Sequence, residues 1–148
     1  MPSKIVIAFS AIAMVAVYAF ANPKVDFKAD TEEGIQFHNG TWEEALQLAK
    51  KENKLIFLDI YATWCGPCKK LKANTFSNTE VGSYYNQNFI NVAFDGEQGD
   101  GAMLMQKYGL RSFPSLLFID GNGKVVGQTV GYHNPSQFLE LGQKFSKK

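Results

Sequence analysis

Cysteine is scarce in this chain. Among 148 residues there are two, Cys65 and Cys68, and both fall in the hexapeptide Trp64-Cys65-Gly66-Pro67-Cys68-Lys69. No other disulfide framework is possible within one molecule. An excess of charge is missing too: 15 basic residues nearly balance 14 acidic ones, for a formal net charge of +1. Nothing in that balance favours a nucleic-acid partner, and the Lys147-Lys148 tail is too short for a basic arm. Neither GxGxxG nor GxxxxGK occurs, so the backbone cradles that hold nucleotide phosphates are not signalled. The two histidines, His38 and His133, do not fall at finger spacings, and a structural zinc needs about four ligands. The carboxylates of Asp95-Gly96-Glu97-Gln98-Gly99-Asp100 fail the EF-hand spacing and read as a solvated loop. No metal and no cofactor is expected. The chain does have a globular balance, 45% hydrophobic and 20% charged, and the length for one domain with a real core.

The N-terminus reads as an export signal. Lys4 supplies a positive start, Ile5 to Tyr18 is apolar except for Ser10, and Ala19-Phe20-Ala21 fits a small-x-small cleavage site. Residues 1–21 are thus expected to be a signal peptide. The alternative is an uncleaved membrane anchor, although an apolar stretch of roughly 17 residues is short for a span. Residues 22–33 are polar and read as a linker or extended arm, and 34–148 as the folded domain. A periplasmic or secreted location follows, in which an idle dithiol tends to oxidise and a working one needs a redox partner.

Along the domain, Gly34-Ile35-Gln36-Phe37-His38 alternates and predicts a first edge strand. Thr41-Trp42-Glu43-Glu44 is a capping box that opens a helix ending near Asn53. Leu55–Tyr61 is almost wholly apolar, as suits a central strand covered on both faces. A helix is predicted from the cysteine pair to about Asn74, and a second helical piece from Asn78 through Asn86. Phe89–Asp95 reads as a strand and Ala102–Tyr108 as a short helix ended by Gly109. Ser115–Ile119 is a strand, and Gly121-Asn122-Gly123 turns it into Lys124–Val130. Pro135 opens the last helix. Early crossovers imply parallel pairing and the late hairpin an antiparallel pair, giving an α/β domain.

A disulfide is attacked by a thiolate, whereas a free thiol near neutral pH is mostly protonated. At a helix start, Cys65 meets unpaired backbone N–H groups and the positive end of the macrodipole, and both favour the thiolate. Pro67 suits the first turn because its missing N–H had no partner there. Cys68, one turn on and expected to be more buried, is placed to resolve a mixed disulfide at Cys65. Asp59 lies in the apolar strand, six residues before Cys65. Burial there raises a carboxyl's pKa and makes it a proton acceptor for Cys68; the alternative is an Asp at a strand end facing solvent. Phe113-Pro114 precedes a strand. A cis bond there would turn the Phe113 backbone toward the cysteines, where an extended substrate chain pairs.

With these residues in place, the chain resembles the thioredoxin-fold family over roughly Thr41 to Lys144. The stretch from Asp59 through Cys68, with Pro114 46 residues beyond, carries the resemblance. Lys69–Val81 is similar to exported relatives that include the C-terminal periplasmic domain of DsbD-type thiol:disulfide interchange proteins. The resemblance implies a thioredoxin fold, a central mixed β-sheet flanked by helices on both faces. It implies a Cys65–Cys68 redox disulfide, Asp59 as proton acceptor, Pro114 as cis-proline and Trp64 as a shield. Gly131 would leave room for the substrate backbone, so that Trp64, Gly66, Pro67, Phe113, Pro114 and Gly131 form the substrate-binding surface. Two departures stand out. The family's usual lysine beside the buried Asp is replaced by Asn91, and the usual small or β-branched residue before the proline by Phe113. The expected activity is protein-disulfide reduction by a monomer that serves protein thiol or disulfide substrates and draws electrons from a membrane or periplasmic partner. Oxidase, isomerase and chaperone-like peptide-binding readings are the alternatives.

Overall fold

The computed structural model describes residues 32–146. The predicted signal segment, the first ten residues of the predicted arm (22–31) and Lys147-Lys148 lie outside the described residues. In chain order the elements are α1 (Trp42–Glu52), β1 (Leu55–Tyr61), α2 (Gly66–Lys70) continued by a π-helical segment (Leu71–Phe76), α3 (Thr79–Asn88), β2 (Phe89–Asp95), α4 (Gly99–Lys107), β3 (Ser115–Ile119), β4 (Val125–Val130) and α5 (Pro135–Ser146).

The strands form one mixed sheet in the order β2-β1-β3-β4. β1 runs parallel to β2 and antiparallel to β3, and β3 is antiparallel to β4. The central place of β1 explains its composition, since every residue after Leu55 is buried. Successive side chains alternate between the two faces. Ile56, Leu58 and Ile60 pack with Val92, Phe94, Leu117 and Ile119 under Trp42, Ala45 and Ala49 of α1 and Leu104 of α4. Phe57 enters the opposite layer, with Phe76, Tyr85, Phe89, Leu116, Phe118 and Phe138. In that layer Tyr85 and Phe138 stack with centroids 4.4 Å apart, and the Tyr85 hydroxyl donates to the Phe138 carbonyl at 2.8 Å. Helices therefore cover both faces, as the resemblance implies.

The expected capping box is present. Thr41 Oγ1 accepts from the Glu44 N–H at 3.2 Å, and Glu44 Oε2 accepts from the Thr41 N–H at 2.8 Å. Three expectations need correction. Gly34–His38 is not a strand: its backbone makes isolated bonds, Ile35 N–H to the Phe76 carbonyl and His38 N–H to the Asn91 carbonyl, while Gln36 N–H goes to the Asn86 side chain. The amides serve three different partners, so no ladder forms. The helix after the cysteines changes at Leu71 into a π-helical turn, which buries Thr75 and Phe76 and lets Thr75 Oγ1 donate to the His133 carbonyl at 2.6 Å. Such turns widen a helix locally and recur at functional sites. Finally, α4 begins at Gly99 rather than Ala102, because the Gln98 carbonyl already accepts the Ala102 N–H.

Candidate active site

The β1 strand ends at Tyr61, and the chain turns through Ala62 so that the Cys65 N–H bonds the Ala62 carbonyl at 3.1 Å. Cys65 is the N-cap of α2, with extended backbone, and Pro67 lies in the first turn. Its sulfur accepts the Cys68 N–H at 3.2 Å, an orphan donor of the helix start placed where a thiolate's charge would sit. The two cysteines are joined in a disulfide with Cα atoms 5.3 Å apart.

Cys65 was expected to be the more exposed of the pair. Instead both are 3% exposed. They share a small apolar cluster with Tyr61, Ala62 and Ala93, and Phe37 and Phe113 pack against it. Gly66 and Pro67 are exposed beside them, and the space where a Gly66 side chain would stand is open.

The β3 register carries the opposing wall to the same end of the sheet. Ser115 pairs with Ile60 of β1 and with Val130 of β4, so Phe113 and Pro114 enter beside the turn that leads to Cys65. The Phe113–Pro114 bond is cis. The Pro114 carbonyl accepts the Gly131 N–H at 3.0 Å, and Gly131 holds a φ of 85°, a backbone region favourable only for glycine and a few polar residues. Trp64 meets Phe113 edge to face, with centroids 5.8 Å apart and planes at 87°, yet stays 66% exposed. Phe113 packs against the cysteine cluster, so the two rings form an aromatic lip beside the disulfide.

Asp59 lies inside the protein at 4% exposure, on the same strand face as Phe57. The solvent-facing alternative for this residue does not hold. Its Oδ1 is buried without a hydrogen-bond partner. Desolvation pushes its pKa up to about 7, and the charge of Lys72 partly offsets that rise. A carboxyl held in this range is half ionised near neutrality, which suits it to take and return a proton. Asn91, expected from the resemblance to replace the family's usual lysine, is buried and donates to the Tyr85 carbonyl at 3.1 Å. The cation that acts on Asp59 comes instead from Lys72 in the π-helical segment.

Three participants were invisible along the chain. Lys72 is one. Glu97 is the second: its Oε1 accepts from Trp64 Nε1 at 2.5 Å, and its loop is held by Asp95 Oδ1, which accepts the Glu97 N–H at 2.9 Å. Gly96 allows this loop to lie against the lip, because a Cβ there would come within 2.4 Å of the Phe113 ring. The third, Phe37, sits in the segment expected to be a strand. His133 is engaged near the site: its Nδ1 is 3.1 Å from the Gly131 carbonyl. No group of three or more His, Cys, Asp or Glu suited to a metal occurs among the described residues.

A mixed sheet with helices on both faces, a disulfide closing the first turn of the helix after its central strand, and a cis-proline loop at the same end define a thioredoxin fold with a dithiol site. The thioredoxin-like domain family matches residues 42–146, and the chain belongs to that family. It is 40% identical to a candidate disulphide-isomerase from Bacteroides thetaiotaomicron, covering 78% of this chain and 98% of that one with a TM-score of 0.67. It is 32% identical over 127 residues to the thiol:disulfide interchange protein DsbD of Tatumella citrea, covering 82% of this chain but 22% of that protein. The chain thus spans about a fifth of the length of such curated relatives. The oxidised C-terminal domain of Neisseria meningitidis DsbD is 26% identical, covering 69% of this chain and 90% of that domain, with a TM-score of 0.58.

Proposed function

We propose that this protein is an exported protein-disulfide reductase that works through Cys65 and Cys68. The observation that carries the reading is the cysteine pair itself: the Cys65 sulfur caps a helix and accepts the Cys68 N–H. In the reduced protein the Cys65 thiolate attacks a substrate disulfide. The substrate S–S bond breaks, a Cys65–substrate disulfide forms, and the first substrate sulfur leaves and takes a proton from water. Cys68 then gives its proton to the Asp59 carboxylate and attacks the Cys65 sulfur. The mixed disulfide breaks, and the second substrate sulfur leaves and is protonated at Asp59's expense. Two electrons have passed to the substrate, and the Cys65–Cys68 disulfide waits for a dithiol donor.

Trp64, Gly66, Pro67, Phe113, Pro114 and Gly131 would receive the substrate chain. The Gly-Pro pair between the cysteines, which resembles that of reducing thioredoxins, supports the reducing direction, and the DsbD relatives support thiol–disulfide interchange. The signal-like N-terminus supports a periplasmic or secreted site, with electrons drawn from a membrane or periplasmic dithiol. A monomer suffices, because the whole constellation comes from one chain. The name of the Bacteroides relative favours isomerisation as the second reading. Equilibration with glutathione buffers tests the direction. A reductase is expected near the thioredoxin value of about −270 mV, and a potential near the DsbA value of about −120 mV would refute it.

A further inference from the structure

The segment Gly34–His38 forms no strand, yet hydrogen bonds fasten it at Gly34, Ile35, Gln36 and His38. Ile35 N–H bonds the Phe76 carbonyl at 2.8 Å and His38 N–H the Asn91 carbonyl at 2.7 Å. The Asn86 side chain grips it twice, accepting the Gln36 N–H at 2.8 Å and donating to the Gly34 carbonyl at 3.1 Å. It crosses α3 at Gly82, where a Cβ would stand 2.5 Å from the Gly34 carbonyl carbon. This fixed strap delivers two large apolar side chains inward, Ile35 into the layer around Phe57 and Phe37 toward the cysteines. Phe37 packs against the cluster that holds Cys65, Cys68 and Ala93, and Ala93 is the register partner of Asp59. It also meets the rings of Phe76 at 5.4 Å and Phe57 at 6.5 Å. Phe37 also lines an open cavity of about 330 Å³ with His38, Asn86 and Asn91. Phe37 therefore touches both space open to water and the cluster beside Asp59.

We infer that Phe37, held by the Gly34–His38 strap, is the seal that keeps water from Asp59, and so is a positioning residue for the proton transfer from Cys68. The inference rests on the reductase reading only for the use made of that proton. The groups around Asp59 leave cover as the controlling variable. Lys72, from the π-helical segment, is the charge that acts on it. Tyr61 of β1 and the bonded cysteines of α2 carry no charge at neutral pH, and Asn91 of β2 is neutral. The strain-free route to a high-pKa carboxyl is dryness, and here a single aromatic ring supplies one wall of it.

The test follows the titration of the Asp59 carboxyl carbon by NMR in the oxidised protein, which requires no turnover and so stands apart from the activity. Phe37→Ala is expected to lower the Asp59 midpoint by about one pH unit or more, toward ordinary aspartate. Phe37→Leu, which restores apolar cover, should return it close to wild type. Gly82→Ala gives an independent lever, because it lifts the strap without touching any side chain near Asp59; it should lower the midpoint in the same direction. Folding of each variant is read from its amide spectrum. A folded Phe37→Ala or Gly82→Ala protein with an unmoved midpoint overturns the seal, as does a wild-type Asp59 that already titrates in the ordinary carboxylate range. Failure of the reductase reading would show elsewhere, as wild-type protein unable to reduce a disulfide substrate while these midpoints still move.

Discussion

Cys65→Ser is expected to bring the reduction of insulin disulfides by this protein to the uncatalysed background, because serine offers no sulfur to form the mixed disulfide. Cys68→Ala should behave differently. Cys65 keeps its helix-start position and can still attack, but the mixed disulfide has no resolving thiol. Covalent adducts at Cys65 should accumulate and be visible on non-reducing gels, and multiple turnover should stop. The asymmetry follows from placement. The Cys65 sulfur sits at the N-cap and accepts a backbone N–H, whereas Cys68 lies one turn inside α2, in the same closed cluster. A chaperone-like module in which the cysteines were incidental would protect unfolded clients equally well with serine at 65. Retained client protection without any thiol dependence would favour that reading over a redox one.

Replacing the buried carboxyl should have the second largest effect, and on two properties at once. In the folded protein the Asp59 pKa stands at about 7 against 3.8 for the ordinary side chain. Between those values the unfolded chain has released its proton and the folded chain has not, so the unfolded state binds fewer protons and stability falls as pH rises. The contribution is fully present below 3.8 and is lost as pH climbs through about 7. A difference of this size corresponds to on the order of 4 kcal/mol. Denaturant unfolding of the oxidised protein should therefore show stability falling from mildly acidic to alkaline pH. Asp59→Asn should flatten that dependence and be more stable than wild type at pH 8 by roughly 2–4 kcal/mol. The same variant should turn over more slowly at neutral pH, because Cys68 loses its proton acceptor; a general base typically contributes at least ~10²-fold. A variant both less stable than wild type at alkaline pH and unchanged in rate would show that Asp59 is neither dry nor used.

The parts of this protein that were legible in its sequence are those encoded by contiguous residues. The run Leu55–Tyr61 suits a covered strand, and its lone carboxylate was conspicuous for that reason. The cysteine pair with Pro67 between its members marks a helix start by local chemistry, and the Thr41–Glu44 box marks another. What stayed hidden depends on partners distant along the chain. Gly34–His38 alternates like a strand, but whether its amides meet a ladder is decided by Phe76, Asn86 and Asn91, which are 41 to 53 residues away in the bonds observed. Lys72 looks like an ordinary solvated lysine until the π-helical turn sets it within electrostatic reach of Asp59. Glu97 belongs to a loop whose composition signals only solvation, and its use is decided by the Trp64 indole 33 positions earlier. The equal burial of the two cysteines was likewise unreadable, since Phe37 and Phe113, which pack against them, lie on either side of the pair and far from it along the chain.

The account depends above all on the Cys65 sulfur being acidified by its place at the start of α2. Its most direct test is the pH dependence of Cys65 alkylation by iodoacetamide in the reduced Cys68→Ala protein. A midpoint at least one unit below the roughly 8.5 of a free thiol, with the modification mapped to Cys65, is the expected result. A midpoint at or above that of free cysteine, or a sulfur that does not react in the folded protein, would contradict it.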